Sequence, residues 1–367
     1  MAGSKSQGRE VERELVWHGR QPGRVELLEW QLRVARPRLR TKGPGAREVP
    51  IPAYEVMRGD PQAASRMRKI LLAVVSTRRY ATVLPKMAKT VGVSRSQRLR
   101  KLIAAGAKLL QGLMARRFEA LDILAVYIDG VVIAGQSVVV AIGVTAGGDK
   151  HLLGLTLGAP ENATVVTNLL ADLLKRGLDP GRKRLFIIDG SKAIRAAIER
   201  TFGEGALVQR CRVHKLRNVL DYLPDSLKPQ LKATMNAAFK LPAKEGLAKL
   251  KQQALGFKRD HPKAAASLLE GIEELSTVNA LGLTPRLMRC LASINLIENR
   301  NGRLRAIARN VTRWCDGEMI ERWVAVCYLE AEKGWRRIHG RRDLWILRQA
   351  LGWSADEKRV DLARKVA

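Results

Sequence analysis

Two short stretches decide how this chain reads: "AVYIDG" at residues 125–130 and "LFIIDG" at residues 185–190. Each is an apolar run that stops abruptly at Asp-Gly. Short runs rich in Val, Ile and Phe have the pattern of buried strands. A carboxylate that closes such a strand lies at the carboxyl edge of a sheet, where ligands gather in α/β folds. Asp-Gly is also an ordinary turn pair, so neither stretch is decisive alone. Their repetition is the informative feature.

Outward from these runs the pattern is regular. "ILAVYIDG" is followed by "QSVVVAIGVT" and "KHLLGLTLG", separated by Gly-containing turns, which predicts three successive antiparallel strands. "ENATVVTNLLADLLKRGL" reads as an amphipathic helix ending at Gly177, "RKRLFIIDG" as a buried strand, "SKAIRAAIERTFG" as a helix and "ALVQRC" as a short strand. The order β-β-β-α-β-α-β is that of an RNase H-like core. From about Lys215 to Leu291 the pattern is helical throughout, and "SINLIENRNGRLRAIARNV" and the remainder read as helices too.

Charge adds a partner. The 367 residues carry a formal net charge of +31. Charge of that size speaks to partners rather than fold, and for a basic protein the natural partner is nucleic acid. It is unevenly spread. Residues 61–120 hold 14 Lys and Arg against one acid, Glu119, whereas residues 121–210 hold 10 bases against 9 acids. Within the basic stretch, "LPKMAKTVGVSRSQRLRKLI" reads as a helix, a turn at Gly92 and a second helix capped by Ser94, the spacing of a helix-turn-helix. Its second helix carries Arg95, Arg98, Arg100 and Lys101, side-chain types that reach phosphates and guanine edges. The first 60 residues mix Arg with Pro and Gly and show little regular pattern. They read as an extended, partly flexible arm, either a solvated linker or a segment that orders on DNA.

The four cysteines, Cys211, Cys290, Cys315 and Cys327, are not spaced as a disulfide framework. The apolar runs are too short to span a bilayer. The expected location is the cytoplasm, associated with the nucleoid.

If the two Asp-Gly runs are neighbouring strands, Asp129 and Asp189 come together. Two ionised carboxylates repel, so a positive group is expected between them. Mg²⁺ suits oxygen ligands, and two such ions form a clamp for phosphoryl transfer. Two aspartates rarely hold two ions, so a third acid is needed. Glu298 stands out because Asn295, Gly302 and Arg305 share its helix face at i−3, i+4 and i+7.

These residues are also recognisable together. "LAVYIDGVVIAGQSVVVAIGV", "LGAPENATVVTNLLADLLKRGLDP", "LFIIDGSKAIRAAI", "VQRCRVHKLRNVLDYLP" and "SINLIENRNGRLRAIARNVTRW" resemble the Mutator-type transposases of bacterial insertion sequences, the IS256 family, over roughly residues 48–351. The resemblance implies a DDE recombinase: an α/β, RNase H-like catalytic core interrupted by an all-helical insertion and preceded by a helical DNA-binding domain. It implies Asp129, Asp189 and Glu298 as catalytic and metal-binding acids for two Mg²⁺ ions, with Mn²⁺ able to substitute. It matches Cys211 and His214 to the family's C-x-x-H motif, as a structural or DNA-side pair. The implied function is binding of terminal inverted repeats, followed by DNA cleavage and strand transfer.

The expected organisation is an arm at 1–58, a helix-turn-helix-like domain at 59–119, the first part of the core at 120–214, the insertion at 215–290, and the last core helix with a helical C-terminal region at 291–367. Arg300, Arg303 and Arg305 are expected along the DNA path beside double-stranded element ends and target DNA. A homodimer or larger assembly on DNA is expected, and no membrane. An RNase H-like nuclease or resolvase, and a non-catalytic DNA-binding derivative of a transposase, are the alternative readings.

Overall fold

The computed structural model describes residues 15–27, 30–52, 54–55, 95–309, 311 and 313–353. The chain divides into two compact units, residues 1–107 and 108–367.

In the first unit, β1 (Leu15–Leu27) and β2 (Trp30–Thr41) form a long antiparallel ribbon, and β3 (Glu48–Val49) adds to β2. The sequence reads here as an unpatterned arm. Pro22, Gly23 and Pro37 break the period-two alternation, and the pairing shifts register between Trp17 and Arg20. Pro is tolerated because β1 is an edge strand, and β3 pairs with β2 only at Leu39 and Arg40. The Tyr54 hydroxyl accepts from the Arg24 amide at 3.0 Å and donates to its carbonyl at 3.1 Å. Helix α1 runs Arg95–Met114. The first helix of the expected helix-turn-helix, and the side chains of Arg95, Arg98, Arg100 and Lys101, lie outside the described residues.

The second unit is mixed α/β. Its five-stranded sheet has the order β6-β5-β4-β7-β8. Strands β4 (Ile123–Ile133), β5 (Gln136–Thr145) and β6 (Lys150–Leu157) form an antiparallel meander. Strands β7 (Arg184–Ile188) and β8 (Ala206–Arg210) add in parallel on the other side of β4. Helices α2 (Ala163–Lys175) and α3 (Lys192–Phe202) start at caps visible in the sequence: Asn162 accepts from the amides of Thr164 and Val165, and Ser191 from that of Ile194. They bury Val166, Leu169, Leu170, Ile194 and Ile198 against Val126, Ile128, Val139, Ala141, Phe186 and Ile188 of the sheet.

Alternation along β4 turns Ala125, Tyr127 and Asp129 to the opposite face. There the Tyr127 hydroxyl donates to the Cys290 carbonyl at 3.0 Å. Helix α11 (Gly317–Glu332) guards the edge strand β6: Glu321 and Glu332 each accept a β6 amide at 2.8 Å, from Leu157 and Leu152.

Between β8 and α10 (Asn295–Ala308) the chain is helical: α4 (Arg212–Leu220), α5 (Lys228–Ala238), α6 (Ala243–Phe257), α7 (Pro262–Leu269), α8 (Thr277–Ala280) and α9 (Pro285–Leu291). The first four have their own core, including Val219, Leu231, Met235, Leu250, Ala254 and Leu268. The buried Lys215 ammonium donates to the carbonyls of Ser267 at 2.6 Å and Glu270 at 2.7 Å. Where this region leaves the sheet and where it returns, the chain is hydrogen-bonded to itself. The Arg212 amide donates to the Ala292 carbonyl at 3.0 Å, and the Ile294 amide to Cys211 Sγ at 3.5 Å. Among the described residues no helix is long and apolar enough to cross a membrane.

Candidate functional site

Strands β4 and β7 run parallel with Ile128 opposite Ile188. One residue beyond that pair stand Asp129, where β4 continues to Ile133 rather than ending as the sequence pattern suggests, and Asp189, the first residue after β7. Both carboxylates, with Glu298 from the first turn of α10, line one open cleft of about 310 Å³. Its other walls include Pro160, Glu161, His214, Asn301 and Arg305.

Each acid is held differently. Asp129 is 8% exposed and accepts from Asn301 Nδ2 at 3.0 Å. Burial first, then the neighbouring charge of Asp189, pushes its carboxyl up to about 7, with Glu298 adding to the effect and Arg305 opposing it. Asp189 accepts from the Ser191 amide at 2.9 Å, at the entrance to α3. Glu298 Oε1 lies 3.4 Å from His214 Nε2 and 3.6 Å from Arg217 Nη1.

The two glycines that follow the aspartates have separate reasons. A Cβ at Gly130 would lie 2.6 Å from the Pro160 ring. Gly190 has φ +114°, and a side chain there would run into the Arg210 guanidinium. Arg210 Nη2 in turn donates to the Gly190 carbonyl at 3.3 Å and Nη1 to that of Glu270 at 2.9 Å.

The helix face that meets the cleft differs from the one read in the sequence. Glu298 and Arg305 are on it, but the third member is Asn301; Asn295 and Gly302 are exposed and do not line the cleft. The buried stripe of α10 is Ile297, Asn301, Leu304 and Ala308, so Asn301 is a polar residue at a core position. That misfit was the available signal. Asn301 also accepts from the buried Tyr328 hydroxyl, which extends the chain of hydrogen bonds from Asp129 into α11. Glu161, a fourth acid on the cleft, sits in the turn before α2 and has no distinctive sequence context.

The Cys-x-x-His pair separates into two roles. Cys211 is fully buried at the start of α4, where its thiol meets the Ile294 amide and burial raises its pKa. His214 faces the cleft and Glu298. Of the expected DNA contacts, Arg305 reaches the cleft, while the Arg300 guanidinium lies 5.8 Å over the Trp335 ring. The Arg303 side chain lies outside the described residues.

The donor set suits a hard cation: carboxylate oxygens converge on one cleft, and the most buried of them is reluctant to ionise without added positive charge. Among the described residues no three His, Cys, Asp or Glu groups already stand close enough to form a cage.

Sheet and cleft together define a mixed α/β protein with an acid-lined site in a strongly basic chain. Residues 34–338 match the family model described as transposase, Mutator family, and the chain belongs to that family. It is similar to a probable insertion-sequence transposase of Corynebacterium diphtheriae, with 27% identity over 59% of this chain and 63% of the relative. It is also similar to the transposase of IS256 in transposon Tn4001 from Staphylococcus aureus, with 25% identity over 55% of this chain and 51% of the relative. The transposase of IST2 from Acidithiobacillus ferrooxidans is 33% identical over 37% of this chain and 46% of the relative. The matches thus span from under half to somewhat under two thirds of these relatives' lengths.

Proposed function

We propose that the protein cuts DNA at the ends of an insertion sequence and joins those ends to target DNA, using Asp129, Asp189 and Glu298 as a DDE triad. The observation that carries this reading is the convergence of the three acids on one cleft, with Asp129 inside β4 and Asp189 just after β7, one step beyond the last parallel pair of the two strands. The sheet order, with a meander followed by two parallel strands, supports an RNase H-like core. The separate apolar core of residues 219–275 supports an all-helical insertion before the third acid.

Asp129, Asp189 and Glu298 would hold two Mg²⁺ or Mn²⁺ ions. Such ions, when bound, activate the attacking oxygen and stabilise the leaving oxygen of a phosphodiester. Asn301 orients the Asp129 carboxylate. Arg305 supplies the cleft's positive charge toward a phosphate. In cleavage, water adds to phosphorus as the bond to the 3′ oxygen breaks, leaving a 3′-hydroxyl. In joining, that hydroxyl forms a new bond to a target phosphorus while one target bond breaks. Neither step needs a covalent link between protein and DNA. Two element ends must be held together, so the working form is a dimer or larger on DNA.

The test is cleavage and joining of DNA carrying the element's ends, with Mg²⁺ or Mn²⁺. Wild type should cut and join, and Asp129→Ala, Asp189→Ala and Glu298→Ala should each abolish both. Cleavage surviving in the Glu298 variant would overturn the triad. Cutting without joining of pre-cleaved ends would identify a nuclease instead.

A further inference from the structure

We propose that the face of the β1–β2 ribbon opposite Tyr54 is a docking surface for double-stranded DNA, built from residues other than those of the cleft. The inference rests on the family's DNA-directed function and adds a surface to it. Residues 15–49 carry eight Lys and Arg against three acids.

The ribbon sorts its arginines by face. Tyr54 bonds the Arg24 backbone, packs against Gly23 and lies under the Arg36 guanidinium at 5.2 Å; Glu48 pairs with Arg36 at 2.8 Å and Arg38 at 3.0 Å. Those arginines hold the fold. The register sets Arg20 opposite Pro37, Pro22 opposite Ala35 and Arg24 opposite Arg33, all on the other face. There Arg20, Arg24 and Arg33 are exposed, and among the described residues no carboxylate pairs with them. Trp17 is 46% exposed, with the Arg20 guanidinium 5.8 Å from its ring centroid.

Like charges directly across an antiparallel pair repel, so the Arg24–Arg33 juxtaposition works against folding on its own. A polyanion turns it into an attraction. A two-stranded ribbon fits the B-DNA major groove, about 12 Å wide, with phosphates along both walls. Duplex DNA therefore matches this face in both charge and shape.

The test measures binding of the full-length chain to a labelled duplex of scrambled sequence, in EDTA, across a range of salt. Replacing Arg20, Arg24 and Arg33 together with Gln should lower the salt slope by about 0.9 for each lost contact, up to about 2.7. A control with Lys232, Lys244 and Lys249 replaced by Gln removes the same charge from the helical region and should leave the slope near wild type. Arg24→Glu gives a reading independent of misfolding: facing Arg33, it should weaken DNA binding without lowering thermal stability. The inference fails if the ribbon variants bind like wild type or the control loses as much. If wild type cleaves element ends and the ribbon variants bind unchanged, only the ribbon inference falls. If wild type binds no duplex at all, both readings fall.

Discussion

Asn301 Nδ2 donates to Asp129 Oδ2 at 3.0 Å from a side chain only 2% exposed. Because Tyr328 donates to the same amide's oxygen, Asn301 satisfies two buried groups at once. Asn301→Ala should orphan both and destabilise the fold by about 2–4 kcal/mol. Tyr328→Phe, which removes one bond and keeps the ring, should cost about 1 kcal/mol. Urea melts of the metal-free protein decide this, and equal stability of Asn301→Ala and wild type would refute it.

The Asp129 carboxyl predicts an unusual pH dependence. Its pKa is raised from 3.8 to about 7 in the fold. Below about pH 4 both folded and unfolded chains hold the proton, and this stability is fully present. As pH climbs through 7 the fold must carry a desolvated charge, and the stability is lost. Asp129→Asn stays neutral throughout. It should match wild type near pH 4 and exceed it at pH 8, by up to about 4 kcal/mol at roughly 1.4 kcal/mol per pKa unit. A stability difference that stays constant between those pH values would contradict the charge-burial account.

Divalent ions should act on the same site. Mg²⁺ or Mn²⁺ at about 100 times its dissociation constant should stabilise the fold by about 2.7 kcal/mol. The shift should vanish in the Asp129→Ala and Asp189→Ala double variant. Thermal melts with and without EDTA measure it, and an undiminished shift in the double variant would move ion binding elsewhere.

Gly190 and Gly130 should both resist substitution. Gly190→Ala forces a side chain into the left-handed region and against Arg210, and Gly130→Ala meets the Pro160 ring. Each should cost about 1–3 kcal/mol. Melts comparable to wild type would show that the cleft rim can yield.

How much of this was legible in the sequence depended on whether a signal was local. Asp129 and Asp189 announce themselves because each ends an uninterrupted apolar run. Glu298 is legible through its helix face, but the sequence pattern carries that face through Asn295 and Gly302, which are exposed and off the cleft. Asn301 is illegible there because it belongs to the apolar stripe of Ile297, Leu304 and Ala308, where its role depends on a strand residue 172 positions away. The ribbon was hidden for a related reason. Its order comes from cross-strand pairing and from Tyr54 and Glu48, while Pro22, Gly23 and Pro37 blur the alternation.

The hydrogen bonds from Arg212 to Ala292 and from Ile294 to Cys211 make a doorway through which the helical region both departs and comes back. Glu298 is held by that threshold together with His214 and Arg217 of α4, and it makes no ion pair with α5, α6 or α7 among the described residues. Closing a longer loop through the same threshold adds only about 0.6 kcal/mol per doubling of length. The helices between α4 and Ser267 can therefore lengthen or shorten while Glu298 stays in place, leaving that part of the molecule the freest to diversify without disturbing the cleft.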